Sequence, residues 1–143
     1  MIRHIYRRRV RYRECDPMSV AYHTFYLDYF EEARTEALRD IGLPYKKLED
    51  SGIIMPVVEA SVQYLAPARY DDMLEIETMF EDIPRVRVPI SYAVRRKNED
   101  TLLATGTVVL CFVDAARGRP ISVPKAILDA FSREFSKVAE AEA

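Results

Sequence analysis

The spacing of apolar residues changes along the chain and predicts the order of its elements. Apolar and arginine residues alternate from His4 to Arg13, which predicts a strand with one solvent-facing side. From Tyr22 to Ile41 the apolar residues recur every three or four positions, which predicts an amphipathic helix that stops at Gly42. A short second helix is predicted from Pro44 to Ser51.

The second half of the chain has the pattern of strands. A final amphipathic segment, from Pro124 to about Val138, predicts a C-terminal helix. The order of strand, long helix, four strands and helix predicts an α+β fold, in which a curled five-stranded antiparallel sheet surrounds the long helix. Uncovered sheet edges predict self-association. Polar turns separate four β-rich segments: Ile53 to Ala66, Asp72 to Asp82, Arg85 to Lys97 and Leu102 to Val113.

Composition narrows the class of protein. The 143 residues match the size of one domain, so we expect a single domain over residues 1–143. A net charge of −2 argues against a nucleic-acid partner, and no apolar run is long enough to span a bilayer. The N-terminal segment lacks the apolar core of a secretory signal. We therefore expect a cytoplasmic protein.

The sequence predicts no metal site. Its two cysteines and two histidines are too few for a cysteine-rich cluster, and no cysteine pair has the spacing of metal ligands. No glycine-rich loop of the kind that holds nucleotide phosphates is present. We therefore expect chemistry without a metal or redox cofactor.

The candidate chemistry lies between the first strand and the long helix. Asp16 precedes the helix start, where unpaired N–H groups and the helix dipole favour negative charge. The N–H groups around Tyr22 and His23 would polarise a substrate carbonyl there, and Asp16 would attack its carbon or deprotonate a water. Two alternatives stay open: Asp16 as a helix N-cap, and His23 as a hydrogen-bonded structural histidine.

This stretch also carries a family resemblance. Cys15-Asp16-Pro17, Tyr22-His23 and the helix run YLDYFEEARTEAL resemble the active-site signature of the 4-hydroxybenzoyl-CoA thioesterase family of hot-dog-fold enzymes, especially its Tol-Pal-associated branch. The segment VVEASVQYLAPARYDDMLEIET resembles that family's second and third strands. The resemblance implies an acyl-CoA thioesterase that hydrolyses short-chain or aromatic acyl-CoA to free acid and coenzyme A. It also implies a homodimer or homotetramer with sites at the subunit interface.

By this resemblance Asp16 is the nucleophile or general base, and the His23 N–H is the oxyanion donor. The chain departs from the family where Ser19 and Asp71 replace glycines and Ala21 replaces a larger residue. A positive φ at Ser19 would cost about 1 kcal/mol, although its hydroxyl would be available to the site. The catalytic residues are thus predicted to be Asp16 and His23, and the substrate-binding residues Ser19, Tyr22, Tyr26, Glu59, Arg85 and Arg87.

Three of the predicted binding residues have alternatives. Glu59 is either an inward carboxylate that orients water or a solvated strand residue. Arg85 and Arg87 either contact the phosphates of coenzyme A or belong to an exposed polar strand face. Two other functions also remain open. One is a hot-dog dehydratase, which would act on a 3-hydroxyacyl thioester without releasing thiol, and the other is a non-catalytic acyl-thioester binding module.

Overall fold

The long helix packs on one face of a five-stranded antiparallel sheet in the computed structural model of the chain, which describes residues 1–143. The helices are α1 (Phe25–Asp40), α2 (Tyr45–Asp50) and α3 (Lys125–Glu142), and a 3-10 turn spans Tyr12–Glu14. The strands are β1 (Ile2–Arg9), β2 (Ile53–Ile54), β3 (Val57–Tyr64), β4 (Met73–Phe80), β5 (Arg87–Arg96), β6 (Leu102–Cys111), β7 (Val113–Asp114) and β8 (Arg119–Pro120).

The main sheet has the order β1-β4-β5-β6-β3, so β1 and β3 are its edges. This confirms the predicted α+β architecture of five antiparallel strands with a C-terminal helix. A small second sheet, β2-β7-β8, is absent from the sequence prediction. It arises because the predicted strand from Ile53 to Ala66 breaks at Met55 and Pro56, and Pro56 has no N–H to continue a ladder.

Two predicted boundaries near the first connection are wrong. The first strand ends at Arg9 and not at Arg13, because its partner β4 begins at Met73, directly opposite Arg9. Helix α1 begins at Phe25 and not at Tyr22, since the Tyr22 N–H donates to the Glu14 carbonyl instead of facing an open helix end. The residues between Arg9 and Phe25 therefore form a longer connection than the pattern indicated.

Alternation along the strands buries one face of the sheet beneath α1, as predicted. Helix α1 approaches β6 closely at Gly106, where an added Cβ would collide with the Phe30 ring. That ring stacks on Tyr92 of β5 with centroids 4.3 Å apart. The inward residues of β4 and β5 are all buried: Leu74, Ile76, Thr78, Phe80, Val88, Ile90, Tyr92 and Val94.

Helix α3 follows Pro124, as predicted, and closes the end of the sheet away from the start of α1. Its Phe131 is fully buried and meets Phe80 edge-on, with ring centroids 5.2 Å apart. None of the three helices is both long and apolar enough to cross a membrane.

Candidate active site

The connection from β1 to α1 contains a narrow hairpin, which we call the Asp16 hairpin (residues 14–22). The Tyr22 N–H donates to the Glu14 carbonyl at 2.8 Å, and the Asp16 N–H donates to the Val20 carbonyl at 2.9 Å. Between these bonds, Cys15 and Ala21 form a β-bridge. The Ala21 N–H also donates to the Ala68 carbonyl at 2.7 Å, which ties the hairpin to the segment before β4.

One oxygen of the Asp16 carboxylate accepts hydrogen bonds from the chain, and the other is free. Its Oδ1 accepts the N–H groups of Met18 at 2.8 Å and Val20 at 3.4 Å, whereas Oδ2 accepts no hydrogen bond from the chain. The side chain thus caps its own turn, and Thr24 occupies the N-cap position of α1. The alternative that Asp16 is the N-cap of the long helix is therefore wrong.

Ser19 lies at the tip of the hairpin with a left-handed backbone, at φ 64°. Its N–H donates to the Asp16 carbonyl at 2.9 Å, so this strained turn belongs to the same loop as the carboxylate. Asp71, the second residue that replaces a family glycine, also has a positive φ, of 69°. Both departures from the resemblance therefore fall where glycine would be unstrained.

The amide groups before α1 divide into occupied and free donors. The Tyr22 N–H bonds to Glu14, so it is not available to a ligand, and this part of the predicted oxyanion site is wrong. The N–H groups of His23 and Thr24 have no acceptor in the chain. The Thr24 side chain makes no capping bond either, so the positive end of the α1 dipole remains open at His23.

The His23 imidazole is exposed and makes no hydrogen bond to the chain, which contradicts the alternative of a hydrogen-bonded structural histidine. Its ring lies between Tyr22 and Tyr64, with centroids at 4.4 and 6.1 Å. The Tyr64 hydroxyl of β3 donates to the His23 carbonyl at 2.8 Å. The edge strand β3 is thereby fastened to the helix start.

Tyr26 does not line a binding surface. It is 3% exposed and packs against Tyr29 and Tyr64, with ring centroids at 5.6 and 5.2 Å. Burial raises the pKa of its phenol above the ordinary value. Contrary to the prediction of a substrate-binding residue, Tyr26 presents no surface to a ligand and supports the start of α1 from within the core.

Three other predicted binding residues lie away from Asp16 in the same chain. Glu59 pairs with Val109 on the outer face of the sheet and is exposed, in agreement with the solvated alternative. Arg85 in the β4–β5 turn and Arg87 at the start of β5 lie at the other end of β4, a strand whose eight residues span about 26 Å. With Glu81 and Asp82 they line a groove of about 1180 Å³ beside α3.

Exposed apolar side chains lie on the Asp16 hairpin and on neighbouring segments of the chain, which the pattern of the sequence did not indicate. Tyr12 is 81% exposed, and its ring meets that of Tyr70 edge-on at 5.6 Å. Met18, at the hairpin tip, is 75% exposed. We call this set the apolar rim, and its members are Tyr12, Met18, Tyr22, Tyr64, Leu65 and Tyr70.

The buried carboxylate at the start of the hairpin and its half-buried arginine partner were also missed. Glu14 is 3% exposed and forms an ion pair with Arg8. The alternation of β1 placed Arg8 on the same face as Tyr6 and Val10. This placement could have revealed the ion pair, because an arginine on an inward face needs an acidic partner. No group of three or more His, Cys, Asp or Glu side chains is arranged to hold a metal ion.

Comparison with known proteins agrees with this geometry. Residues 10–131 match the family model described as the Thioesterase-like superfamily. A putative esterase of Aquifex aeolicus is 38% identical over 125 residues, which are 87% of this chain and 94% of that protein. The acyl-CoA thioester hydrolase YbgC of Escherichia coli O157:H7 is 34% identical over 125 residues, covering 87% and 92% of the two chains.

A solved structure gives the same answer for the fold. The DHNA-CoA thioesterase of Staphylococcus aureus superposes with a TM-score of 0.86 at 30% identity, covering 99% of this chain and 94% of that one. These matches confirm the hot-dog fold and the prediction of a thioester-hydrolysing enzyme, while the Tol-Pal-associated branch stays a prediction. The chain, with its free carboxylate oxygen before an open helix start, belongs to the Thioesterase-like superfamily.

Proposed function

We propose that the protein hydrolyses acyl-CoA thioesters to a carboxylic acid and coenzyme A, with Asp16 as the reacting carboxylate. The observation that carries this proposal is the free Oδ2 of Asp16, on a hairpin that is directly followed by the unoccupied His23 N–H. The names of the Escherichia coli and Staphylococcus aureus relatives, both acting on CoA thioesters, support coenzyme A as the carrier.

In the proposed reaction the thioester carbonyl oxygen accepts the His23 N–H, at the positive end of the α1 dipole. Negative charge that develops on this oxygen is stabilised there. Asp16 then acts in one of two ways. Its Oδ2 attacks the carbonyl carbon and gives an anhydride that water cleaves, or it removes a proton from a water that attacks instead. In both routes the thiolate of coenzyme A leaves and takes up a proton, and the acid is released.

The substrate class follows from what surrounds the carboxylate. The apolar rim offers tyrosine rings and Met18 to an acyl group, which favours aromatic or short apolar acyl chains. Ser19 and Tyr22, both exposed on the hairpin, are the proposed substrate contacts within this chain. The reaction as written requires no metal or redox cofactor.

The active form is proposed to be a homodimer or homotetramer. β3 is an edge strand, and its exposed valines Val57 and Val58 are 49% and 48% accessible. Pairing of β3 with a second copy would bury them and bring that copy beside Tyr64, which holds the His23 carbonyl. The site would then lie at the subunit interface. Two free cysteines fit the reducing environment of the cytoplasm, which we propose as the location.

The test is thiol release from a panel of short, medium, long and aromatic acyl-CoA esters. Asp16→Asn keeps the Oδ1 acceptor for Met18 but removes the reacting carboxylate, so kcat should fall by about 100-fold or more. Asp71→Asn, which alters an exposed aspartate outside the site, is the matched control and should retain activity. A folded Asp16→Asn protein that releases thiol like the parent contradicts the proposal. Loss of water from a 3-hydroxyacyl-CoA without thiol release, or saturable binding without turnover, would indicate the other two functions.

A further inference from the structure

Glu14, two residues before Asp16, is a buried carboxylate with an unusual concentration of donors. A single oxygen, Oε1, accepts bonds from the Arg8 guanidinium, from the Arg11 N–H at 2.8 Å and from the Tyr29 hydroxyl at 3.1 Å. These partners come from β1, from the turn after it and from α1. One carboxylate thus joins the three elements that meet at the base of the Asp16 hairpin.

The charges around Glu14 are balanced within this cluster. Arg8 also pairs with Glu32 of α1 at 3.0 Å, and its guanidinium lies 4.3 Å from the centre of the Tyr29 ring. Burial by itself would raise the pKa of Glu14, but the bonds from Arg8 and the Arg11 N–H outweigh it and hold the pKa below its ordinary value. Glu14 is therefore a fixed negative charge in the folded protein.

The backbone of Glu14 is the first rung of the Asp16 hairpin. Its carbonyl accepts the Tyr22 N–H at 2.8 Å, and the next rungs lead to Asp16 on one strand and back to Val20 on the other. A displacement of Glu14 would move Asp16 and His23 together, because each lies within two residues of this first rung. The hydrogen bonds that hold the Glu14 side chain therefore also set the positions of both proposed catalytic groups, Asp16 and the His23 N–H.

An ion pair of this kind is a poor device for stability alone, since an apolar replacement of a buried pair is often neutral or stabilising. The ion pair instead holds the elements that meet at the base of the hairpin in one arrangement. We propose that Glu14 is a positioning residue, whose bonds to Arg8 and Tyr29 set the Asp16 hairpin and so align the Asp16 carboxylate with the His23 N–H. This inference rests on the proposed function of Asp16 and adds a residue to it.

The decisive comparison is between Glu14→Gln and Glu32→Gln. Both remove a carboxylate that Arg8 contacts, but only Glu14 belongs to the hairpin. We expect Glu14→Gln to lower kcat by about 10- to 100-fold with little change in KM, as for a displaced reacting group. Glu32→Gln should keep kcat within about threefold. Equal losses of kcat in the two variants, or an unchanged kcat in Glu14→Gln, would overturn the proposal.

Tyr29→Phe covers the case in which Glu14→Gln does not fold, because it removes only one bond to Glu14. It should lower kcat by about fivefold at constant KM, the effect of roughly 1 kcal/mol. An unchanged kcat would contradict the positioning role.

Amide hydrogen exchange separates this inference from the proposed function. The Asp16 and Tyr22 N–H groups, which form the hairpin rungs, should exchange about tenfold faster in Glu14→Gln than in the parent protein, with β5 amides unchanged. If the parent hydrolyses no acyl-CoA, the proposed function fails, and the exchange rates still decide whether Glu14 sets the hairpin. Unaltered exchange at both amides refutes the positioning role even when catalysis is present.

Discussion

The Tyr64 hydroxyl, on the edge strand β3, donates a 2.8 Å hydrogen bond to the His23 carbonyl at the entrance of α1. This bond reaches across from the far edge of the sheet to the peptide that directly follows the proposed oxyanion donor. The position of the His23 N–H therefore depends on β3 as well as on the hairpin. If β3 joins a second subunit, the proposed site is coupled to assembly through this contact.

Removal of that hydroxyl in Tyr64→Phe should cost about 1 kcal/mol of stability and reduce kcat about fivefold, because the His23 peptide loses an anchor. Tyr6→Phe is the matched control, since it loses a 2.9 Å bond to Glu32 and leaves the bond to the His23 carbonyl in place. Steady-state kinetics and thermal unfolding of both variants provide the measurement. The tether has no catalytic role if the two variants lose the same fraction of kcat.

Ser19→Gly should stabilise the protein by about 1 kcal/mol, because glycine adopts the φ of 64° without the clash that a Cβ introduces. The melting temperature should rise by a few degrees. Ser19→Ala keeps the Cβ and removes only the hydroxyl, so it should give no such gain. If Ser19→Ala stabilises as much as Ser19→Gly, the strain argument is wrong.

Gly106→Ala should destabilise the fold by about 1 to 3 kcal/mol, since the new methyl group has no room beneath Phe30. Denaturant unfolding provides the free energy. Combining it with Phe30→Leu should recover part of the loss, because the smaller side chain leaves space at the contact. Thr105→Ala, on the outer face of the same strand, should change stability by less than about 0.5 kcal/mol. A neutral Gly106→Ala would show that α1 approaches the sheet less closely.

The protein should lose the stabilising contribution of the Glu14 carboxylate in acid. The pKa of this carboxylate is lowered in the folded state, so its contribution is fully present above the ordinary glutamate pKa of about 4.3 and is lost as the pH falls through the lower folded value. The difference in unfolding free energy between the parent and Glu14→Gln should therefore be constant near neutrality and shrink in acid. A difference that stays constant from about pH 7 to pH 3 would contradict this assignment.

Charged substitutions on the β3 edge should break the proposed assembly. Val57→Lys with Val58→Lys places two ammonium groups along the unpaired edge and should yield a monomer of 16.6 kDa in sedimentation velocity, with loss of activity. Ile83→Lys adds a charge at an exposed apolar residue in the β4–β5 turn and serves as control. A multimer that persists in the double variant would show that the subunits meet elsewhere.

Periodicity predicted most of the fold because each element buries one regular face. It predicted α1 and the alternation of β4 and β5, since these faces meet across one core. It failed between Arg9 and Phe25, where backbone hydrogen bonds between non-periodic residues decide the path. Tyr22 fitted the helical spacing, yet its N–H is held by Glu14.

The candidate site was predictable in part. Asp16 and His23 are close in sequence, so a resemblance confined to one stretch could bring them together. Arg85 and Arg87 were grouped with them although the antiparallel run of β4 carries the chain to the opposite end of the sheet. Tyr64 and Glu14 act through tertiary contacts with residues 41 and 15 positions away, which no local pattern records.

The free His23 amide has a stereochemical consequence for the proposed reaction. A thioester carbonyl group is planar. When its oxygen is held by one fixed donor, only one of the two faces of the group is turned toward the carboxylate on the neighbouring hairpin. Acyl groups with a stereocentre next to the carbonyl would then meet the rim differently in each configuration. A racemic mixture of such esters should be consumed one enantiomer ahead of the other.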